Sequence, residues 1–145
     1  MGNIRCPTGG KIALETIRTD SDVKGEIKNG TPVIDVNIKL EANIGEVQCN
    51  IDLMKQETIQ ELEKITETRD QQLVEMALKK AQKEFKSDIF GFGEVLHRSH
   101  PKQWRKIKAQ WQEKFRNAKV NIHVDAKIRR TGTITDSFQK GNISD

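Results

Sequence analysis

No stretch of this 145-residue chain approaches the run of about 18 apolar residues that a membrane-spanning helix requires. The opening Met1-Gly2-Asn3-Ile4-Arg5-Cys6 has no apolar core, so no secretory signal peptide is expected in it. Gly2 followed by Pro7 does not fit a myristoylation signal either. Cysteine is scarce, with Cys6 and Cys49 at no metal-binding spacing. Cys49 continues an apolar alternation and is expected as a buried free thiol, a bridge to Cys6 being the lesser alternative. The chain also lacks a clustered basic stripe: 25 basic and 21 acidic side chains are spread along it, so no nucleic-acid partner is expected. The net charge of +4 suits work near an anionic lipid surface, and solubility alone explains it equally well.

What the chain does have is pattern. Apolar residues make up only 34% of it, yet they recur at regular periods, and a patterned chain of this length buries enough surface for one domain. Residues 1–10 are rich in Gly, Pro and polar groups and read as a flexible head. Lys11 to Arg18 alternates, with Ile12 and Leu14 on one side. Thr19-Asp20-Ser21-Asp22 interrupts it, and Val23 to Lys28 resumes it after a bulge or bend. Asn29-Gly30 signals a tight turn. Pro32 then opens a strand in which Ile34, Val36, Ile38, Leu40, Ala42 and Ile44 follow at strict period two, with Gly45 as a candidate bulge.

From about Gln56 to Phe85 the period becomes helical: Ile59, Leu62 and Thr66 lead, and Val74, Ala77, Leu78, Ala81 and Phe85 carry the stripe on. A shorter helix is expected to start at Ser87 or Asp88, with Ile89, Phe92 and Leu96 facing inward. Pro101 opens a third, whose stripe is Trp104, Ile107, Trp111 and Phe115. Val120, Ile122, Val124, Ala126 and Ile128 form a last amphipathic strand, and residues 133–145 read as a polar, flexible tail. The order predicts an α+β fold over residues 11–132. It is a two-layer sandwich in which a three- or four-stranded antiparallel or mixed sheet carries one long and two shorter helices on one face.

Chemistry-bearing constellations are weak. Gly91-Phe92-Gly93 has G-x-G without the third glycine or lysine of a phosphate loop, and close packing between helices explains the glycines more simply. His97, His100 and His123 fall on different elements with no acidic or Cys partner at a ligand interval. No serine or cysteine sits in a nucleophile context. No catalytic, metal or cofactor-binding residue is therefore assigned, no cofactor is expected, and the chain is read as a non-enzyme. Trp104 and Trp111 read as core although Lys102, Arg105, Lys106 and Lys108 flank them. Arg129-Arg130 is free to meet phosphate or lipid headgroups, or simply solvent.

Three groups of residues carry a resemblance. They are Leu78 to Arg98 with Pro101-Lys-Gln-Trp104 and Trp111-Gln-Glu-Lys-Phe115, the close Val124 to Gly132, and Ala42-Asn-Ile-Gly-Glu46. Together they resemble the C-terminal domain of the GerAC-like family, the C subunits of the nutrient germinant receptors of spore-forming Bacillus-type bacteria, over roughly residues 9 to 132. The resemblance implies a non-catalytic interaction domain supporting spore germination. Its expected partners are the A- and B-type integral membrane subunits, at the outer face of the spore inner membrane, to which a lipid anchor holds the full-length protein. A domain that senses germinant itself is the alternative. Asn3-Ile4-Arg5 before Cys6 is not a lipobox, so Cys6 is not read as the lipidated residue. The isolated domain is expected to be a monomer. Glu94, His97 and Arg98 fall outside the inward stripe and are the candidate partner contacts.

Overall fold

A computed structural model describes residues 2–6 and 9–130 of the chain. The elements run β1 (Gly2–Arg5), β2 (Lys11–Lys28), β3 (Thr31–Val47), α1 (Gln56–Lys80), α2 (Phe92–Ser99), α3 (Pro101–Ile107), α4 (Trp111–Arg116) and β4 (Lys119–Arg129). A π turn, Ala81–Phe85, extends α1, and a 3₁₀ turn, Lys108–Gln110, splits the expected third helix into α3 and α4. The four strands form one sheet in the order β1-β2-β3-β4. Asn29 and Gly30 both take positive φ, 53° and 78°, the conformation a two-residue hairpin turn requires between β2 and β3. Asn121 bonds Asp35 and Arg129 pairs with Glu41, so residue numbers rise together and β4 runs parallel to β3. A parallel neighbour needs a long crossover, which the helices supply. The fold is α+β with a mixed sheet.

The described residues group into two compact units, with β2, β3, β4 and α1 running through both. One comprises the described residues up to Asp20, Lys39–Arg69 and those from Asp125 on. Its core joins Ile4, Ile12, Leu14, Ala42, Ile44 and Ile128 of the strands to Ile59 and Leu62 of α1 and to Leu53. The other comprises Ser21–Ile38 and Asp70–Val124. Its core joins Ile34, Val36 and Ile122 of the sheet to Leu78, Ala81, Phe92, Leu96 and Phe115. In each unit the helices cover the even-numbered face of β3 and β4, as the period-two pattern requires.

Strand β2 continues through the polar Thr19–Asp22 stretch where an interruption was expected. Its inward positions nevertheless change from even, the buried Ile12 and Leu14, to odd, the buried Gly25 and the half-buried Val23 and Ile27, so the strand slips by one residue in phase.

Four expectations are corrected. The head is not loose over Gly2–Arg5, because that segment pairs antiparallel with β2, Ile4 opposite Ile12, and Ile4 is buried. Cys49 is not a free thiol: it is bridged to Cys6 with their Cα atoms 6.3 Å apart. The β1–β2 hairpin returns Cys6 beside the end of β3, where Gln48 N–H donates to the Lys11 carbonyl at 2.8 Å. Phe85 and Ile89 were expected to face inward, yet each is 64% exposed, and Ala77 is exposed too. The π turn adds a residue to the helical repeat and Lys86, with φ 52°, ends it, so the phase that positions Leu78 and Ala81 is lost beyond them. Helix α2 begins at Phe92 rather than at Ser87 or Asp88, because Gly91 just before it is left-handed, with φ 75°, and a helix could not run through that residue. The tail assigned to residues 133–145 lies outside the described residues.

Candidate functional site

The Asp88 side chain organises the region around α2. One carboxylate oxygen accepts from Phe92 N–H at 3.0 Å, and the other accepts from Gly93 N–H at 2.7 Å and from the Trp111 indole Nε1–H at 3.0 Å. Asp88 thus satisfies two amide donors at the start of α2 and ties the helix to α4. Gly91, the residue before α2, has φ 75°, a left-handed conformation that glycine takes at low cost. Gly93 serves a different purpose. A Cβ there would lie 2.8 Å from Trp111 Nε1 and 3.0 Å from the far edge of the Trp104 ring, so the close packing expected of these glycines holds for Gly93, whereas Gly91 has open space around it.

An aromatic row lies behind α2. The His97 and Trp104 rings stack with centroids 6.1 Å apart, Trp104 meets Trp111 edge-on at 5.3 Å, and Trp111 leads to the fully buried Phe115 at 6.1 Å. Both tryptophans pack against the core, as their spacing implied. His100 sits between α2 and α3 at φ −136°, so Pro101 does break the helix between His97 and His100. Glu94, His97 and Arg98 are all exposed on α2 and, at i, i+3 and i+4, share one side of it.

Two groups of polar contacts were not legible in the sequence. Gln82, buried in the π turn, donates to the carbonyls of Phe115 at 2.8 Å and Ala118 at 3.3 Å. Glu63 and Glu67 of α1 accept from the Ile128 and Ala126 N–H groups at 2.9 Å, occupying donors on the outer edge of β4. Arg130, one of two arginines left free for headgroups by the pattern, bonds the Leu53 and Met54 carbonyls, and Arg129 pairs with Glu41 at 3.6 Å. Among the described residues no set of three or more His, Cys, Asp or Glu side chains is placed to hold a metal ion. No helix among them is long and apolar enough to cross a membrane.

Residues 1–132 match the family model described as "Spore germination B3/ GerAC like, C-terminal". The chain belongs to that family. This GerAC-like domain is similar to spore germination protein KC of Bacillus subtilis (strain 168), 27% identical over 122 residues, which covers 83% of the chain and 30% of that protein. It is 28% identical over 127 residues to spore germination protein B3 of the same strain, covering 87% of the chain and 34% of that protein. The chain therefore spans about a third of the length of these relatives. The solved structure titled "Crystal Structure of the GerBC protein" superposes with a TM-score of 0.77 at 25% identity, over 88% of this chain and 40% of that one. The fold and the GerAC-like membership agree, and the family and these two relatives are described as spore germination proteins.

Proposed function

We propose that the chain is a non-catalytic interaction domain of a germinant receptor C subunit that contacts the A- and B-type membrane subunits through the Glu94, His97 and Arg98 side of α2. The observation that carries this reading is the way that side is presented. Three exposed polar side chains stand on a helix whose backbone is fastened from behind by Asp88 and the Trp104–Trp111 pair. A face held this way loses little freedom on binding, which favours affinity without a deep pocket. The Cys6–Cys49 bridge supports a location outside the reducing cytosol, as at the outer face of the spore inner membrane, with the full-length protein held there by a lipid anchor. The domain by itself is a monomer in this reading.

Site-specific photo-crosslinkers at positions 94, 97 and 98 of the full-length subunit test the proposal in spore membranes. Crosslinks to the A or B subunit support it, and crosslinks confined to unrelated proteins, or none, sink it.

One observation favours germinant sensing instead. An open cleft of about 300 Å³, at the low end for ligand pockets, is lined by Thr31, Pro32, Gln110, Glu113 and Lys114 among others. Amino acids and sugars titrated into the labelled domain would then shift the NMR signals of Gln110, Glu113 and Lys114. Unmoved signals leave the interaction reading standing.

A further inference from the structure

The connection between α1 and α2 presents three large apolar side chains to solvent within six residues: Phe85 and Ile89, each 64% exposed, and Phe90, 37% exposed. They are held outward by an ordered turn. Ser87 N–H donates back to the Ala81 carbonyl at 3.1 Å, and the Gln112 side-chain amide donates to the Lys86 carbonyl at 3.2 Å. Asp88 bonds forward into α2, and the Phe90 ring stacks on Phe92 at 5.4 Å. Such a cluster on a pinned turn is an exposed apolar patch that folding did not remove.

The charge around it is in basic excess. Lys79, Lys80, Lys83 and Lys86 are all exposed, the first three leading up to Phe85 and Lys86 lying between Phe85 and Ile89, and Arg116 lines the same cleft as Lys86. Against these five basic groups stand Glu84, Asp88 and Glu113, the last lining that same cleft, and the Asp88 carboxylate is already bonded to two amides and an indole. Exposed apolar side chains next to exposed lysines match a surface that is apolar below and anionic above, because a lysine can lay its stem on apolar surface and keep its charge in the polar layer. Basic residues beside such a surface are drawn to it by its negative potential.

We propose that the Phe85–Phe90 turn is a membrane-contact loop that seats on the headgroup region of an anionic lipid bilayer. This goes beyond the subunit-contact reading, because it uses a different segment and needs no receptor partner.

The test is sedimentation of the 145-residue chain with unilamellar vesicles of phosphatidylglycerol or of phosphatidylcholine. The chain should partition on the order of tenfold more strongly onto the anionic vesicles, and lose most of that binding near 1 M salt, where charges are screened beyond about 3 Å. The variants Phe85→Ser/Ile89→Ser and Lys83→Glu/Lys86→Glu change only exposed side chains. Each should lower anionic partitioning by about tenfold while melting like the parent chain. The control Lys24→Glu/Lys28→Glu, also at exposed sites, should change it less than about twofold. Three results overturn the proposal: no binding to anionic vesicles, patch variants that bind like the parent, or a control that loses as much as the patch variants. It is likewise overturned if the patch variants keep vesicle binding and instead lose capture of a receptor subunit, which would make the loop a protein contact.

Discussion

Asp88 and Trp111, 23 positions apart, meet through a 3.0 Å hydrogen bond from the indole Nε1–H to the same carboxylate oxygen that accepts from Gly93 N–H. The connection between α1 and α2, the start of α2 and the first residue of α4 are thereby tied at one side chain. Replacing Asp88 with alanine removes an N-terminal cap and leaves a half-buried indole donor unpaired, so it should destabilise by about 2–4 kcal/mol. Asp88→Asn should recover only part of the loss, since its amide turns an N–H₂ towards groups that are donors themselves. Urea denaturation of the two variants, with tryptophan emission as the probe, checks this. If Asp88→Ala melts like the parent, the tie carries no weight.

The two glycines flanking Phe92 should respond to different substitutions. Gly91 needs its left-handed φ of 75° and has room for a side chain, so Gly91→Ala should cost about 1–2 kcal/mol and Gly91→Asn distinctly less. Gly93 needs space, since any Cβ presses on Trp111. Gly93→Ala and Gly93→Asn should therefore both cost about 1–3 kcal/mol, and Gly93→Leu at least as much. Equal costs for Asn and Ala at position 91 would contradict the conformational explanation.

Reduction of the Cys6–Cys49 bridge should lower stability by about 3–4 kcal/mol, because the bridge closes a loop with a sequence separation of 43 that the unfolded chain would otherwise explore freely. The Cys6→Ser/Cys49→Ser variant should match the reduced protein in its urea midpoint. Its β1 amides should also exchange with solvent sooner than those of β3, since β1 pairs only with Lys11 to Leu14. An unchanged midpoint would show that the bridge is dispensable.

The charge swap Glu94→Lys/Arg98→Glu alters only exposed side chains of α2, so stability should stay within about 0.5 kcal/mol of the parent. In spores carrying the full-length subunit the same swap should slow the response to nutrient. Normal germination would remove this face from consideration as the docking surface.

Much of the fold follows from local pattern. Ile34 to Ile44 and Ile122 to Ile128 alternate, and a strand has only two faces, so placing one face against a core leaves one arrangement. Asn29-Gly30 sets the β2–β3 hairpin because both residues accept positive φ. Ile107 and Phe115 are buried and Trp104 and Trp111 pack against the core, so the expected stripe survives the 3₁₀ turn that breaks its helix. Glu94, His97 and Arg98 were legible as exposed from their helical spacing, although no pattern says what they touch.

The sequence by itself thus determined the β2–β3 hairpin, the long helix α1, the strand β4 and the buried face of β3 and β4, since each depends on residues within one or two turns or strands. Strand β1, the start of α2 and the break between α3 and α4 did not show in it. Tertiary structure alone decided what joins distant segments. A glutamate on a helix reads the same whether it faces water or, as Glu63 and Glu67 do, the open N–H groups of β4. Cys6 and Cys49 carry no sign of each other until the β1 hairpin returns one beside the end of β3. Phe85 fits the stripe of the long helix and Ile89 that of the next one. Yet the π turn and the left-handed Lys86 break the first repeat at Phe85, and Ile89 lies in the turn before α2, so both are left in solvent. Periodicity propagates along a chain only while the repeat stays unbroken, and where it breaks, packing chooses which side chains are buried.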